Sequence, residues 1–205
     1  MPSFFIQHFA SAVWKNNPGR IIIVSEDKNS GDCMDKMIYC QKDIPKDRLR
    51  YGLRASAATG CGWVAVYNAL RLMGYSPKAE RVIEFFEKQI PVINGNMGTF
   101  KYSPALFFRK MGFSVKVSHR KSRFDAIAKD SDAVIVYFWW RKKLRMGAHF
   151  VAVHHTARGF VGYNTYSNSK RADSWGDSIE KFLDDKKYFM CCITGVKKKD
   201  STARH

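Results

Sequence analysis

The sequence lacks the features that define several common classes of protein. No run approaches the roughly 18 apolar residues that a membrane-spanning helix needs. The N-terminus has no basic segment ahead of its apolar residues, so we expect no signal peptide. The five cysteines are odd in number and form no CxxC pair, which indicates neither a disulfide framework nor a zinc site. We therefore expect reduced thiols, a cytoplasmic location, and no cofactor or metal.

Acidic residues are also scarce. The 205-residue chain carries 18 Asp and Glu against 35 Lys and Arg, a net charge of +17. Such a charge attracts anionic partners, nucleic acid among them. However, no RNA-binding, zinc-finger or helix-turn-helix pattern accompanies it. The basic residues are spread over runs that equally suit a solvated surface, namely 46–54, 119–123, 141–145 and 197–200. Nucleic acid is therefore an alternative partner rather than the favoured one.

Apolar and aromatic residues are plentiful, at 45% and 14% of the chain. A chain of this length and composition can bury one well-formed core, so one main domain is expected. We predict an N-terminal extension over 1–50 that packs on a main domain over 51–200, with a short tail at 201–205. Within the extension, 3–14 suits a short helix or a strand, and the β-branched run at 20–25 predicts a strand.

The main domain begins with helical patterns. Apolar residues recur at helical spacing from Trp63 to Met73, with Thr59 as the expected N-cap and Gly74 as the end. Two further helices are predicted at 78–89 and at 103–112, the second capped by Ser103.

Strand patterns dominate after residue 112. Strands are predicted at 113–118, 133–140, 148–155, 159–166 and 188–196, with short helices at 123–130 and 178–185. Helices that come first and an antiparallel sheet that follows predict the α+β class.

Cys61 stands between two glycines at the predicted start of a helix. The positive end of the helix dipole favours a thiolate and lowers the pKa of a thiol. Gly60 and Gly62 would leave room for a substrate backbone beside the thiol. The same pattern equally suits a small buried cysteine in a glycine-rich helix start. Cys61 is therefore a candidate nucleophile.

His149 opens an apolar strand and is the candidate base. A single histidine on such a strand is often a core residue. If the next hairpin turns through Ala157 and Arg158, however, Asn164 lies opposite Val151 and diagonal to His149 on the same face. An Asn side chain there could hydrogen-bond the imidazole and fix its tautomer. A turn through Arg158 and Gly159 would place Asn164 opposite Val153, on the same face as His149 but at a longer reach. A three-residue loop would put the two on opposite faces.

The ordered segments resemble a known family. They are GCGWVAVYNALRLMG, GTFKYSPALFFRKMGFSVKV, AVIVYFWW, GAHFVAV and GFVGYNTYSNS, over roughly 52–196. Together they resemble the papain-like cysteine peptidases, and within them the double-glycine peptidases that process bacteriocin leaders. The resemblance implies a papain-like α+β fold and a thiol hydrolase that cleaves a peptide or amide bond through an acyl-enzyme. It also implies Cys61 as nucleophile, His149 as general base and then acid, and Asn164 as the orienting residue.

One position departs from that family's pattern. The family commonly has an oxyanion-hole Gln six residues before the Cys, and this chain has Ala55 there. The expected oxyanion donors are then the backbone N–H of Cys61 with Ser56 or Thr59, while Gln41 lies farther back. Acyl transfer in place of hydrolysis is a related alternative. A second alternative is a weak or inactive papain-like module that binds acidic peptides or nucleic acid through its basic surface.

Overall fold

Six helices and eight strands form the part of the chain that the computed structural model describes, residues 36–89 and 98–199. The helices are α1 (Ser56–Thr59), α2 (Cys61–Leu72), α3 (Ala79–Lys88), α4 (Ser103–Lys110), α5 (Phe124–Lys129) and α6 (Ile179–Asp185). The strands are β1 (Arg50–Tyr51), β2 (Arg54–Ala55), β3 (Ser114–Ser118), β4 (Ala133–Lys142), β5 (Arg145–Thr156), β6 (Gly159–Tyr163), β7 (Asp173–Gly176) and β8 (Phe189–Lys197). The predicted α+β class is confirmed.

The main sheet contains six of these strands in the order β3-β8-β4-β5-β6-β7, and every neighbouring pair is antiparallel. In the β5–β6 hairpin, Thr156 pairs with Gly159 and Val153 with Gly162. The turn therefore runs through Ala157 and Arg158, one of the three turns that the sequence left open. The predictions for 3–14 and 20–25 lie outside the described residues, and the division at residue 50 stays a prediction.

Both faces of the sheet are covered by helices. Successive strand residues point to opposite faces, so Ile135 and Tyr137 of β4 pack in the cluster that contains α2 and α3, and Val136 packs in the cluster around α5 and α6. This double burial explains why the first part of β4 is a continuous apolar run rather than an alternating one.

Helix α2 is the buried centre of the larger cluster. All residues from 62 to 70 are buried, including those between the apolar positions that the periodicity identified. The N-cap of α2 is Gly60, with no side-chain capping bond, and Thr59 instead ends α1. The prediction of Thr59 as N-cap was wrong because the chain enters α2 directly from another helical turn. Ser103 likewise lies inside α4 and does not cap it.

Residues 36–49 join the same core. They contribute Ile38, Ile44 and Leu49 to the larger cluster, and a 3-10 helix lies at Gln41–Asp43. The fully buried Asn68 of α2 accepts a hydrogen bond from Ile38 N (2.9 Å) and donates one to Ile38 O (2.8 Å). One side chain thus satisfies both backbone groups of Ile38 and fixes this segment on α2.

Asn68→Ala is expected to lower the free energy of unfolding by about 2 to 4 kcal/mol, because it leaves two buried backbone groups without partners. Denaturant unfolding of the variant measures the change. Asn168→Ala is the matched control, since it removes the same amide from an exposed position. Equal stability of the two variants would contradict the assigned role of Asn68.

Candidate active site

Cys61 is the first residue of α2 and is partly exposed, with its side chain against the larger core cluster. The glycines beside it are required by packing. A Cβ on Gly60 would lie 2.5 Å from both Ser56 O and Trp63 Nε1, and one on Gly62 would overlap the side chain of Thr99. Contacts with α1, Trp63 and Thr99 therefore account for both glycines, and the room that they would leave for a substrate stays a prediction.

The Cys61 thiol is neutral at rest. Burial raises its pKa to about 11, and hydrogen bonds from the backbone N–H groups of Phe150, Gly62 and Cys61 itself lower it by less. The helix dipole alone predicted a lowered pKa, and that prediction was wrong because desolvation by the surrounding core is the larger effect. Proximity to Phe150 N places the thiol against β5, one residue beyond His149.

The His149 ring is held by a short hydrogen bond from its Nε2 to the backbone oxygen of Asn164, 2.6 Å away. A carbonyl oxygen only accepts, so Nε2 carries the proton and Nδ1 is the acceptor of the neutral ring. Burial lowers the pKa of His149, and the bond to Asn164 opposes this shift. The ring is therefore a neutral base whose tautomer is fixed.

Asn164 orients the imidazole in a different way from the one predicted. It follows the end of β6 with a positive φ of 66°, a left-handed conformation that asparagine tolerates better than most residues. This turn directs its carbonyl to His149 and its side chain away. The expected bond between the Asn164 side chain and His149 was wrong, because that side chain binds Gln41.

Gln41 was considered in the sequence only as a distant donor, yet it contacts this site. Its backbone N–H donates to Asn164 Oδ1 (2.8 Å), and Asn164 Nδ2 donates to its Oε1 (3.2 Å). Its Nε2 donates to Ala57 O in α1 (3.2 Å). Gln41 therefore links the helix pair that carries Cys61 to the residue that orients His149. No signal in the sequence places these residues together, because 123 positions separate Gln41 from Asn164.

The two hydroxyl groups expected at the oxyanion hole, those of Ser56 and Thr59, differ in their hydrogen bonding. Ser56 is fully buried, and its Oγ accepts a hydrogen bond from Trp63 Nε1 (3.2 Å). Thr59 Oγ1 is buried and has no hydrogen-bond partner in the described part of the chain. Ala55, which stands at the family's glutamine position, belongs to β2. Ser56 thus has a partner of its own, whereas Thr59 and the backbone N–H of Cys61 stay predicted donors.

The thiol and the imidazole contact β5 at neighbouring residues but on its opposite faces. Phe150 packs in the cluster of α2, whereas Val151 packs in the cluster of α5 and α6. Strand alternation gives His149 the face of Val151, and its ring lies edge-on to Phe138, 5.9 Å between ring centres. Within residues 36–89 and 98–199, no hydrogen bond joins Cys61 to the His149 ring. The pairing with β6 begins at Ala152, so the edge of β5 at His149 is open on that side.

No cluster of three or more His, Cys, Asp or Glu suited to a metal occurs among the described residues. Over the same stretches of chain, no helix has the length and apolar character needed to cross a membrane.

Comparison with known proteins gives a likeness in structure but none in sequence. No protein-family model and no curated protein sequence matches the chain. Among solved structures, the peptidase domain of Streptococcus ComA, a bifunctional ABC transporter involved in a quorum-sensing pathway, aligns with a TM-score of 0.47 and 14% identity. The alignment covers 69% of this chain and 93% of that domain. A likeness at this level defines neither a family nor an activity for this chain.

In the hydrolase that is proposed below, Gln41→Ala is expected to lower kcat about 10- to 100-fold with little change in KM, because a small displacement of a catalytic group has costs of this size. The measurement is steady-state hydrolysis of any substrate that the chain accepts. Lys42→Ala changes the exposed neighbour of Gln41 in the same 3-10 helix and is the control. A kcat unchanged by Gln41→Ala would contradict the link through Asn164.

His149 is expected to make the fold sensitive to acid. Its pKa is lowered in the folded state, so below the unfolded value of about 6.5 the unfolded chain binds a proton that the folded chain does not. Stability then falls with decreasing pH by up to about 1.4 kcal/mol per pH unit until the folded ring also titrates. Urea unfolding at pH 7 and pH 5 should show a smaller loss for His149→Gln than for the unchanged chain. An equal loss would contradict the buried neutral ring.

Proposed function

We propose that the chain is a cysteine peptidase-like thiol hydrolase that cleaves a peptide or amide bond. The observation that carries the proposal is the hydrogen bonding of the His149 ring. Its Nε2 donates to Asn164 O, which leaves Nδ1 as the acceptor. His149 is one residue from Phe150, the strand position that the Cys61 thiol contacts. A neutral thiol and a neutral imidazole of fixed tautomer are the starting groups for general-base activation of a nucleophile.

The proposed reaction has two stages. When substrate binds, the His149 ring gives up its place on the face of Val151 and turns around the open edge of β5 toward Cys61. Its Nδ1 then takes the proton of the Cys61 thiol as Sγ attacks the carbonyl carbon of the substrate. The backbone N–H of Cys61 donates to the oxyanion. The imidazolium then protonates the leaving amine, which leaves a thioester on Cys61. Water, deprotonated by His149, attacks the thioester, and the acid product departs as the thiol is restored.

In this mechanism the proton passes from Cys61 to His149 only in the complex with substrate. In the free protein the raised pKa of Cys61 and the lowered pKa of His149 both favour the neutral pair. Catalytic hydrogen bonds are often absent or long in free enzymes and shorten when substrate binds. The resting state is thus a protonated thiol rather than a thiolate–imidazolium pair, which protects the cysteine from oxidation.

The test is incubation of the purified chain with a panel of peptides, followed by mass spectrometry of the products. We expect pairs of product peptides whose masses sum to that of the substrate plus one water. These products should no longer form after the thiols are alkylated. A product in which an added amine replaces water would instead identify acyl transfer. No conversion of any peptide or acyl substrate, at any pH from 6 to 9, would contradict the proposal.

A second candidate is the inactive module that binds acidic peptides or nucleic acid. It is favoured by the net charge of +17 and by the engagement of Ser56 with Trp63. Binding of this kind weakens steeply and linearly in log affinity against log salt and is unchanged by Cys61→Ala. Salt-dependent binding without any turnover would select this candidate over the hydrolase.

A further inference from the structure

The β4–β5 hairpin extends beyond the rest of the sheet. The last pair between β4 and β8 is Trp139 with Phe189, and β6 pairs with β5 only from Ala152 onward. Residues 140–147, which we name the finger, therefore pair only with each other. An isolated two-stranded hairpin is only marginally stable in water. It is therefore unusual for a hairpin such as the finger to extend past the neighbouring strands of its sheet.

The finger carries charge of one sign. Four of the five residues from 141 to 145 are Lys or Arg, and all five are exposed. No Asp or Glu occurs anywhere from 133 to 172. None of the ion pairs of the described residues involves a finger residue. The positive charge of the finger is thus not compensated within this part of the molecule.

The same finger exposes apolar side chains at its end. Leu144 follows Lys143 in the turn and is fully exposed, and more than half of Met146 is exposed. At the base of the finger the Trp140 ring lies over Gly147, where a Cβ would come within 2.8 Å of it. Cations that flank an apolar tip, with a tryptophan behind it, are the chemistry that binds the interface of an anionic bilayer.

We propose that the finger docks on anionic phospholipid membranes, with Leu144 and Met146 in the interface and the four cations on lipid phosphates. Charge complementarity selects an anionic surface. The fully exposed Leu144 selects a lipid over a nucleic acid, because phosphate contacts to RNA or DNA gain nothing from an aliphatic tip. The docking is independent of the proposed hydrolysis, since it uses none of the residues at Cys61.

The experiment is co-sedimentation of the full chain with vesicles of phosphatidylcholine alone, or of phosphatidylcholine and phosphatidylglycerol in equal amounts. We expect binding to the mixed vesicles only, weakened by added salt. Replacement of Arg141, Lys142, Lys143 and Arg145 by Gln should lower the partition coefficient about 10²- to 10³-fold. Leu144→Asn should lower it about tenfold.

The control variant replaces four exposed cations elsewhere, Lys46, Arg48, Lys129 and Lys199, by Gln. It has the same net charge as the finger variant and should retain binding within about threefold. An equal loss in both variants would mean that total charge, not the finger, determines binding. Binding that depends on the cations but not on Leu144, with equal affinity for a single-stranded polynucleotide, would assign the finger to nucleic acid. Either result overturns the proposal.

Discussion

Cys61→Ala is expected to abolish hydrolysis, with kcat reduced by about 10⁴-fold or more. Loss of the nucleophile from a catalytic set that acts as a unit has an effect of this size. The structural change is small, because the side chain is partly exposed and Ala suits the first turn of a helix. The measurement is single-turnover hydrolysis of the best peptide of the panel.

The matched control is Cys191→Ala. Burial raises the pKa of the Cys191 thiol to about 11 as well, but this residue lies in the cluster of α5 and α6, away from α2. We expect the Cys191 variant to retain full activity per folded molecule. Hydrolysis by Cys61→Ala at the rate of the unchanged chain would remove Cys61 from the mechanism.

His149→Gln is expected to lower kcat/KM about 10²- to 10⁴-fold at pH 7, the usual contribution of a general base. A thiol of pKa about 11 is ionised in only about one molecule in 10⁴ at this pH. Without the base, the rate should follow the thiolate and rise about tenfold per pH unit from pH 7 to pH 10. The pH profile of kcat/KM measures this slope.

The pH profile of kcat/KM of the unchanged chain should differ from that of His149→Gln at acid pH. A base must be neutral to accept the thiol proton, and burial lowers the pKa of His149. The acid limb of kcat/KM should therefore lie below pH 6.5, the ordinary value for histidine. His155→Gln, an exposed position on the same strand, is the control and should leave the profile unchanged. An acid limb that persists in His149→Gln as it does in His155→Gln would exclude His149 as the base.

Local patterns were sufficient for most of the fold. The spacing of Trp63, Tyr67 and Leu70 identified α2, because helical periodicity depends on residues close in sequence. The apolar runs at 148–155 and 159–166 identified the two arms of the β5–β6 hairpin, but they left its turn open. The Thr59 cap was mistaken because a helical turn, α1, directly precedes α2.

The site depended on contacts between distant segments, which a single sequence does not reveal. Desolvation of Cys61 comes from the packing of β5 against α2, and it outweighs the local dipole. The Asn164 side chain turns to Gln41 because residues 36–49 fold back over the end of β6, and its carbonyl is left for His149. Position 62 requires glycine because a Cβ there would overlap the side chain of Thr99, which lies in a later segment of the chain.

The most direct test of the proposed hydrolysis is to trap the acyl-enzyme. The chain is mixed with an activated peptide ester, quenched in acid, and mapped by mass spectrometry. The account predicts one thioester on Cys61, formed much more slowly in His149→Gln and absent in Cys61→Ala. Product formation with no adduct on Cys61, or with the adduct on Cys40, Cys191 or Cys192, would contradict it.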